Sequence, residues 1–210
     1  MITRREANSA LMSAAILSAA STLAAREATE RNCRRRGSTQ GKPLMQALKL
    51  RRSTREYSDR PISDQVLSDL LWAAFGINRP SGDRTAPYWR HLMVIDVYTA
   101  MADGVWLYEP QRHALIPGQQ DFVGHAPLNL VYVAHGERMH DIPPDERRFY
   151  ASVDTGFIGQ NVYLYCASEG LACVFRGAVD YKKLDPPIAT SGGRIRHLCP
   201  DRRLRAWVNT

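Results

Sequence analysis

Apolar residues recur at Leu44, Met45, Leu48 and Leu50, a helical stripe that begins directly after Gly41 and Pro43 close a basic leader. Val66, Leu67, Leu70, Leu71 and Ala74 predict a second helix, with Ser63 placed to cap its start and Gly76 to end it. Asn78 to Tyr88, rich in Pro, Gly and Arg, reads as a connecting loop. Leu92 to Tyr98 is apolar and β-branched, and Val105–Tyr108 and His113–Ile116 flank a turn at Glu109–Arg112, so a strand followed by a hairpin is expected. Leu128–Ala134 reads as a buried strand. The longest periodic segment runs from about Asp145 to Glu169 and is ended by Gly170; Phe149, Val153, Phe157, Asn161, Leu164 and Ser168 mark a mixed face on it. A short strand at Leu171–Phe175 and a helix opened by Asp180 complete the series. Helices and strands alternate without regular strand-helix-strand units, which predicts an α+β layered fold rather than a doubly wound one.

A chain of 210 residues with 44% hydrophobic content can bury one sizeable core. Its formal charge of +7 would ordinarily suggest nucleic acid or an anionic surface as partner, but the excess sits at the ends. Seven basic and three acidic residues precede Ser38, and five basic and one acidic follow Gly193, leaving 16 basic against 17 acidic between them. A neutral core without a recognition motif argues against nucleic-acid binding. Three regions follow: a leader at 1–36, a domain at 37–193 and a basic tail at 194–210.

The leader has its own reading. Arg4-Arg5 precedes an uncharged Ala/Ser-rich run from Ser9 to Ala25, too short and too weakly apolar for a stable membrane span. It is expected to be an export signal of twin-arginine type, with cleavage near Thr22–Ala25 and a periplasmic destination, or a cytoplasmic one if the signal is unused. Cys33, Cys166, Cys173 and Cys199 lack C-x-x-C spacing, and His135 and His140 lack partners at metal-ligand spacing, so no metal is expected. Asp154-Thr155-Gly156 imitates an aspartic-protease motif but falls inside a helical period, where that chemistry has no strand-loop context.

The most informative local stretch is Arg51-Arg52-Ser53-Thr54-Arg55-Glu56-Tyr57. Three guanidiniums and two hydroxyls at a helix end can fork onto phosphate oxygens, although a solvated charged turn has the same composition. In order and spacing, RRSTREYSDRPIS, LLWAAFGINRPSGDRTAP, QDFVGHAPLNLVYVA and DTGFIGQNVYLYCASEGLACVFRGAVD resemble the nitroreductase-like FMN oxidoreductases over residues 44 to about 190. The resemblance implies a layered sandwich with a mainly antiparallel central sheet flanked by helices. It implies FMN gripped at phosphate, ribityl and pyrimidine by Arg51, Arg52, Ser53 and Arg55, with Arg55, the one possible catalytic side chain, placing charge at the N1 and O2 edge. Arg176 and Gly177 match a strand-end turn facing the N5 and O4 edge. Pro87, in Thr85-Ala86-Pro87, matches a loop that borders the flavin from the partner of a homodimer, although Tyr88 stands where the family often has Pro-Ser. Gln160 and Asn161 match a G-x-x-x-Q-N pattern near the cofactor or the dimer seam; a polar pair satisfied at a helix interface is the other reading.

The implied activity is hydride transfer from NADH or NADPH through FMN to a small electron-poor acceptor, such as a nitroaromatic or quinone. Alternatives are a flavin-dependent dehydrogenase or oxidase of a small or peptide-borne heterocycle, and a non-catalytic flavin-binding or inactive homologue. The tail departs from the family. Close relatives end in a strand like I-Y-A-Q-T-V-G-Y-P, whereas Arg196 to Trp207, with an arginine at nearly every second position, shows no helical or alternating apolar period. Codons exist for His197-Leu-Cys-Pro-Asp-Arg-Arg-Leu204 that spell Ile-Tyr-Ala-Gln-Thr-Val-Gly one base later, so a shifted reading frame and a missing strand are expected, with impaired folding or cofactor retention.

Overall fold

The computed structural model describes residues 29–34, 41–58, 60–117, 127–176 and, for the backbone, 204–209. The export-signal stretch, Gly177, the helix expected at Asp180, Cys199 and the frame-shift codons of 197–203 lie outside the described residues.

Three α-helices form where the apolar periods predict them: α1 (Leu44–Leu50), α2 (Asp64–Phe75) and α3 (Pro144–Glu169). Ser63 caps α2, its hydroxyl accepting from the Val66 N–H at 3.3 Å. Gly170 ends α3 in the left-handed conformation, φ +76°, which glycine adopts without a Cβ penalty. The strands are β1 (Arg31–Asn32), β2 (Ile95–Met101), β3 (Gly104–Glu109), β4 (Ala114–Pro117), β5 (Leu128–Ala134), β6 (Ala172–Arg176) and β7 (Leu204–Asn209). They make one sheet in the order β1-β4-β3-β2-β5-β7-β6, every neighbouring pair antiparallel. Helices on an antiparallel sheet confirm the expected α+β layered class. The β3–β4 hairpin turns one residue later than predicted, because Glu109 still pairs with Ala114 and His113 takes up the bend at φ +49°.

Alternation along β5 divides the interior. Leu128, Leu130 and Tyr132 face the main core with Leu70, Leu71, Ile158 and Val162, while Val131 and Val133 join Tyr98, Ala100 and Val105 on the other face. Leu70 and Leu71 are fully buried, each worth roughly 1.5–3 kcal/mol. The buried face of α3 is not the face marked from the sequence: Ala151, Asp154, Thr155, Ile158, Gly159, Val162 and Cys166 point inward, and Phe149 and Phe157 are exposed. Apolar character alone misplaced that face, because small and polar residues line the side of closest approach. Gly159 is decisive there, since a Cβ on it would stand 2.5 Å from the Phe175 ring on β6.

Two elements lie outside the expected domain core. Arg31–Asn32, within the leader, pairs with β4 at one sheet edge. Leu204–Asn209, in the tail expected to leave a strand missing, instead runs antiparallel between β5 and β6. The physical reason is a short two-residue period, Leu204, Ala206 and Val208 alternating with Arg205, Trp207 and Asn209, masked by the arginines before it.

Candidate functional site

Helix α1 hands the chain to Arg51, its C-cap, whose N–H donates to the Ala47 carbonyl at 2.9 Å. The residues that follow form no helix or strand, yet they are pinned to β6, the edge of the sheet. The Thr54 N–H donates to the Cys173 carbonyl at 2.9 Å. The Tyr163 hydroxyl, from α3, accepts from the Phe175 N–H at 2.8 Å and lies 2.7 Å from the Ser53 hydroxyl. One phenol therefore joins α3, β6 and the basic segment, and the Arg51 guanidinium covers its ring at 5.3 Å.

Beside this junction opens a cleft of about 450 Å³ lined by Lys42, Lys49, Arg51 and Arg52, with Leu50, Leu171, Cys166 and Cys173 on its apolar side. Among the described residues no carboxylate lines the cleft, so cations dominate its lining, with Glu169 close behind Ser168 at the Lys42 end. Lys42 is held by the end of α3: its N–H donates to the Ser168 hydroxyl at 2.6 Å and its ammonium donates to the Ser168 carbonyl. That docking needs Gly41, which has φ +136° and whose added Cβ would sit 2.8 Å from the Ser168 oxygen.

Farther along β6 stands Tyr57, whose phenol burial pushes up, Cys173 adding to the effect while Arg176 and Arg55 pull it back. Arg55 and Arg176 thus both act on one tyrosine, and Arg176 ends β6. The structure brings Arg51 and Arg52 into the cleft and binds Ser53 to its wall; Arg55 and Arg176 are exposed and do not line it. Pro87, Gln160 and Asn161 do not line the cleft. Pro87 is exposed because its neighbour Tyr88 turns inward, packing edge-on against Phe75 at 6.0 Å and donating to Asp83 at 2.8 Å. The loop continues into α3 through the Trp89 N–H, which donates to Asp154 at 3.1 Å. Burial raises the Asp154 carboxyl to about 6, with that N–H opposing. His135 and His140 are paired with acids, His135 with Asp96 and Glu137 and His140 with Asp141.

Sequence reasoning missed Tyr163, Lys42 and Lys49. Tyr163 was within reach: Gly156, Gln160, Tyr163 and Ala167 follow i, i+4, i+7, i+11, so extending the G-x-x-x-Q-N pattern by one turn leads to it.

A family model described as nitroreductase matches residues 48–190. A Methanocaldococcus jannaschii protein assigned as a nitroreductase is 32% identical over 148 residues, 61% of this chain and 75% of that one. The crystal structure of a Ralstonia eutropha protein assigned to the same class is 37% identical with a TM-score of 0.76, covering 88% of this chain and 90% of the other. An NADPH:FMN oxidoreductase from Vibrio harveyi, crystallised with NAD+, shares the fold at 17% identity and a TM-score of 0.50, over 79% of this chain and 67% of its own.

Proposed function

Because the chain belongs to the nitroreductase family of flavin-dependent oxidoreductases, we propose that it binds FMN and passes hydride from NADH or NADPH to an electron-poor nitroaromatic or quinone-like acceptor. The observation that carries this reading is the cleft beside β6, where Lys42, Lys49, Arg51 and Arg52 converge with no acid among the described lining residues. That donor set fits a phosphate, for which guanidinium forks supply paired hydrogen bonds and ammonium groups supply charge. When bound, FMN supplies two-electron transfer chemistry that no side chain of this protein can perform.

The chain's own residues position and polarise. Arg51 and Arg52 hold the phosphate, and Ser53, fixed by Tyr163, offers a hydroxyl to the polyol. Arg55 and Arg176, beyond them along β6, place positive charge where the ring system would lie, which favours negative charge accumulating there. The exposed apolar residues Leu44, Met45 and Leu48 on α1 and Phe149 and Phe157 on α3 form the contact surface of a homodimer, Met45 being 75% exposed in the single chain. In that dimer Pro87, Gln160 and Asn161 complete the partner's site or the seam. Export by a twin-arginine-type signal, as a folded and loaded protein, is part of the same proposal; among the described residues no helix is long and apolar enough to cross a membrane.

The test is anaerobic spectroscopy of the FMN-loaded protein. Addition of NADH or NADPH should bleach the flavin bands, and a nitroaromatic or quinone should restore them. Bands that neither nucleotide bleaches would overturn the nicotinamide assignment.

A further inference from the structure

A second cleft of about 460 Å³ lies where the β2–β3 ladder ends, beyond the Tyr98–Leu107 pair. It shares no lining residue with the cleft beside β6, and β5 and β7 separate β2 from that edge. Phe75, Met93, Ile95, Val97 and Leu107 form its apolar side, and Tyr108 and four charged residues, Arg84, Asp96, Glu109 and Arg138, line the rest.

Arg84 is 93% buried, an unusual fate for a guanidinium without a carboxylate. Its Nη2 donates to the Met93 thioether at 3.1 Å, a weak acceptor, and the group lies 5.4 Å over the Phe75 ring. Its Nε and Nη1 are buried and have no acceptor among the described residues. The other charges at the cleft are already matched. Asp96 accepts from both Arg138 amino groups, at 2.7 and 3.0 Å, and pairs with His135 at 2.8 Å. Glu109 accepts from the Gln111 and Arg112 N–H groups and from the Arg112 side chain. Among the described residues Arg84 is therefore the one charged group of the cleft with no hydrogen-bonded partner of opposite charge; Glu109 and Asp96 act on it only at longer range.

We propose that this cleft binds a small organic monocarboxylate, its carboxylate paired with Arg84 and its apolar body seated against Phe75, Met93 and Leu107. One unmatched cation calls for one negative charge, and a dianionic phosphate would bring its second charge toward Asp96 and Glu109. The volume falls in the range of small-molecule sites, and an apolar side facing a few fixed polar groups is their usual make-up. Burial lowers the Arg84 guanidinium from its ordinary value, the direction a bound anion reverses. This site is independent of the flavin reading.

Calorimetric titration with sodium benzoate, against its neutral isostere benzamide, tests the proposal at fixed ionic strength set with sodium chloride. The expected result is saturable binding of one benzoate per chain, at least tenfold weaker for benzamide, and lost in Arg84→Met while Arg84→Lys retains part of it. Circular dichroism checks that the variants fold, and the benzoate–benzamide contrast on the unaltered protein needs no variant. Equal affinity for the two probes, no benzoate binding in chloride, or undiminished binding by a folded Arg84→Met would each overturn it.

Discussion

Replacing Tyr163 with Phe removes one oxygen from the junction of α3, β6 and the basic segment and leaves the ring in place. The Phe175 N–H, 2.8 Å from that oxygen, then has no acceptor, and the Ser53 hydroxyl loses its partner at 2.7 Å. An orphaned buried donor costs about 1–3 kcal/mol and an ordinary hydrogen bond nets about 0.5–1.5 kcal/mol. Phe175 is part-buried and Ser53 exposed, so water recovers some of the loss and the expected cost is about 1–3 kcal/mol. For a domain of this size that corresponds to a fall in Tm of roughly 2–12 °C, read by circular dichroism. Ser53→Ala alone should cost less, because it leaves the strand N–H satisfied, and the double variant should show a coupling of about 0.5–1.5 kcal/mol. FMN affinity should fall in both single variants, since one frees the Ser53 hydroxyl from its partner and the other removes it. A Tyr163→Phe protein with unchanged Tm, or strictly additive effects, would refute the claim that this phenol ties the segment to the sheet.

Gly159→Ala should destabilise by about 1–3 kcal/mol despite alanine's better helix propensity, because its Cβ would meet the Phe175 ring at 2.5 Å; a stabilised variant in chemical denaturation would contradict that close approach. Asp154, raised to about 6 by burial, binds its proton more tightly folded than unfolded, so its contribution to stability is fully present below the ordinary carboxyl value and is lost as pH rises through about 6. Asp154→Asn should remove that decline while keeping an acceptor for the Trp89 N–H, and parallel stability–pH curves for the two proteins would count against the burial argument. The proposed homodimer predicts a dimer mass in light scattering for the unaltered protein and a monomer mass for Met45→Glu with Leu48→Glu, neither of which lines the cleft; a monomeric unaltered protein or an unchanged dimer mass in the variant would contradict the proposed interface.

The order of elements was legible because each carried its own local signal: Ser63 and Gly76 bounded α2, Gly170 ended α3, and Leu128–Ala134 was apolar at every position but Asn129. The buried face of α3 was less so, since its closest contact depends on the absence of a side chain at Gly159, which hydrophobic periodicity does not register. The basic segment at Arg51–Tyr57 announced an anion site by composition, but its partners Lys42 and Tyr163 come from positions set by tertiary packing. β7 was hidden for a different reason: its alternation spans only Leu204–Asn209 and follows an arginine-rich run that reads as solvated chain. Arg84 looked like an ordinary loop cation until the fold enclosed it.

The central claim is that the cationic cleft beside β6 holds FMN, and fluorescence titration of FMN into the cofactor-free protein and into Arg51→Ala tests it most directly. The account predicts saturation at one FMN per chain and at least tenfold weaker binding when the guanidinium is removed, with circular dichroism unchanged. Failure of the unaltered protein to bind FMN, or equal affinity in a folded Arg51→Ala, would contradict it.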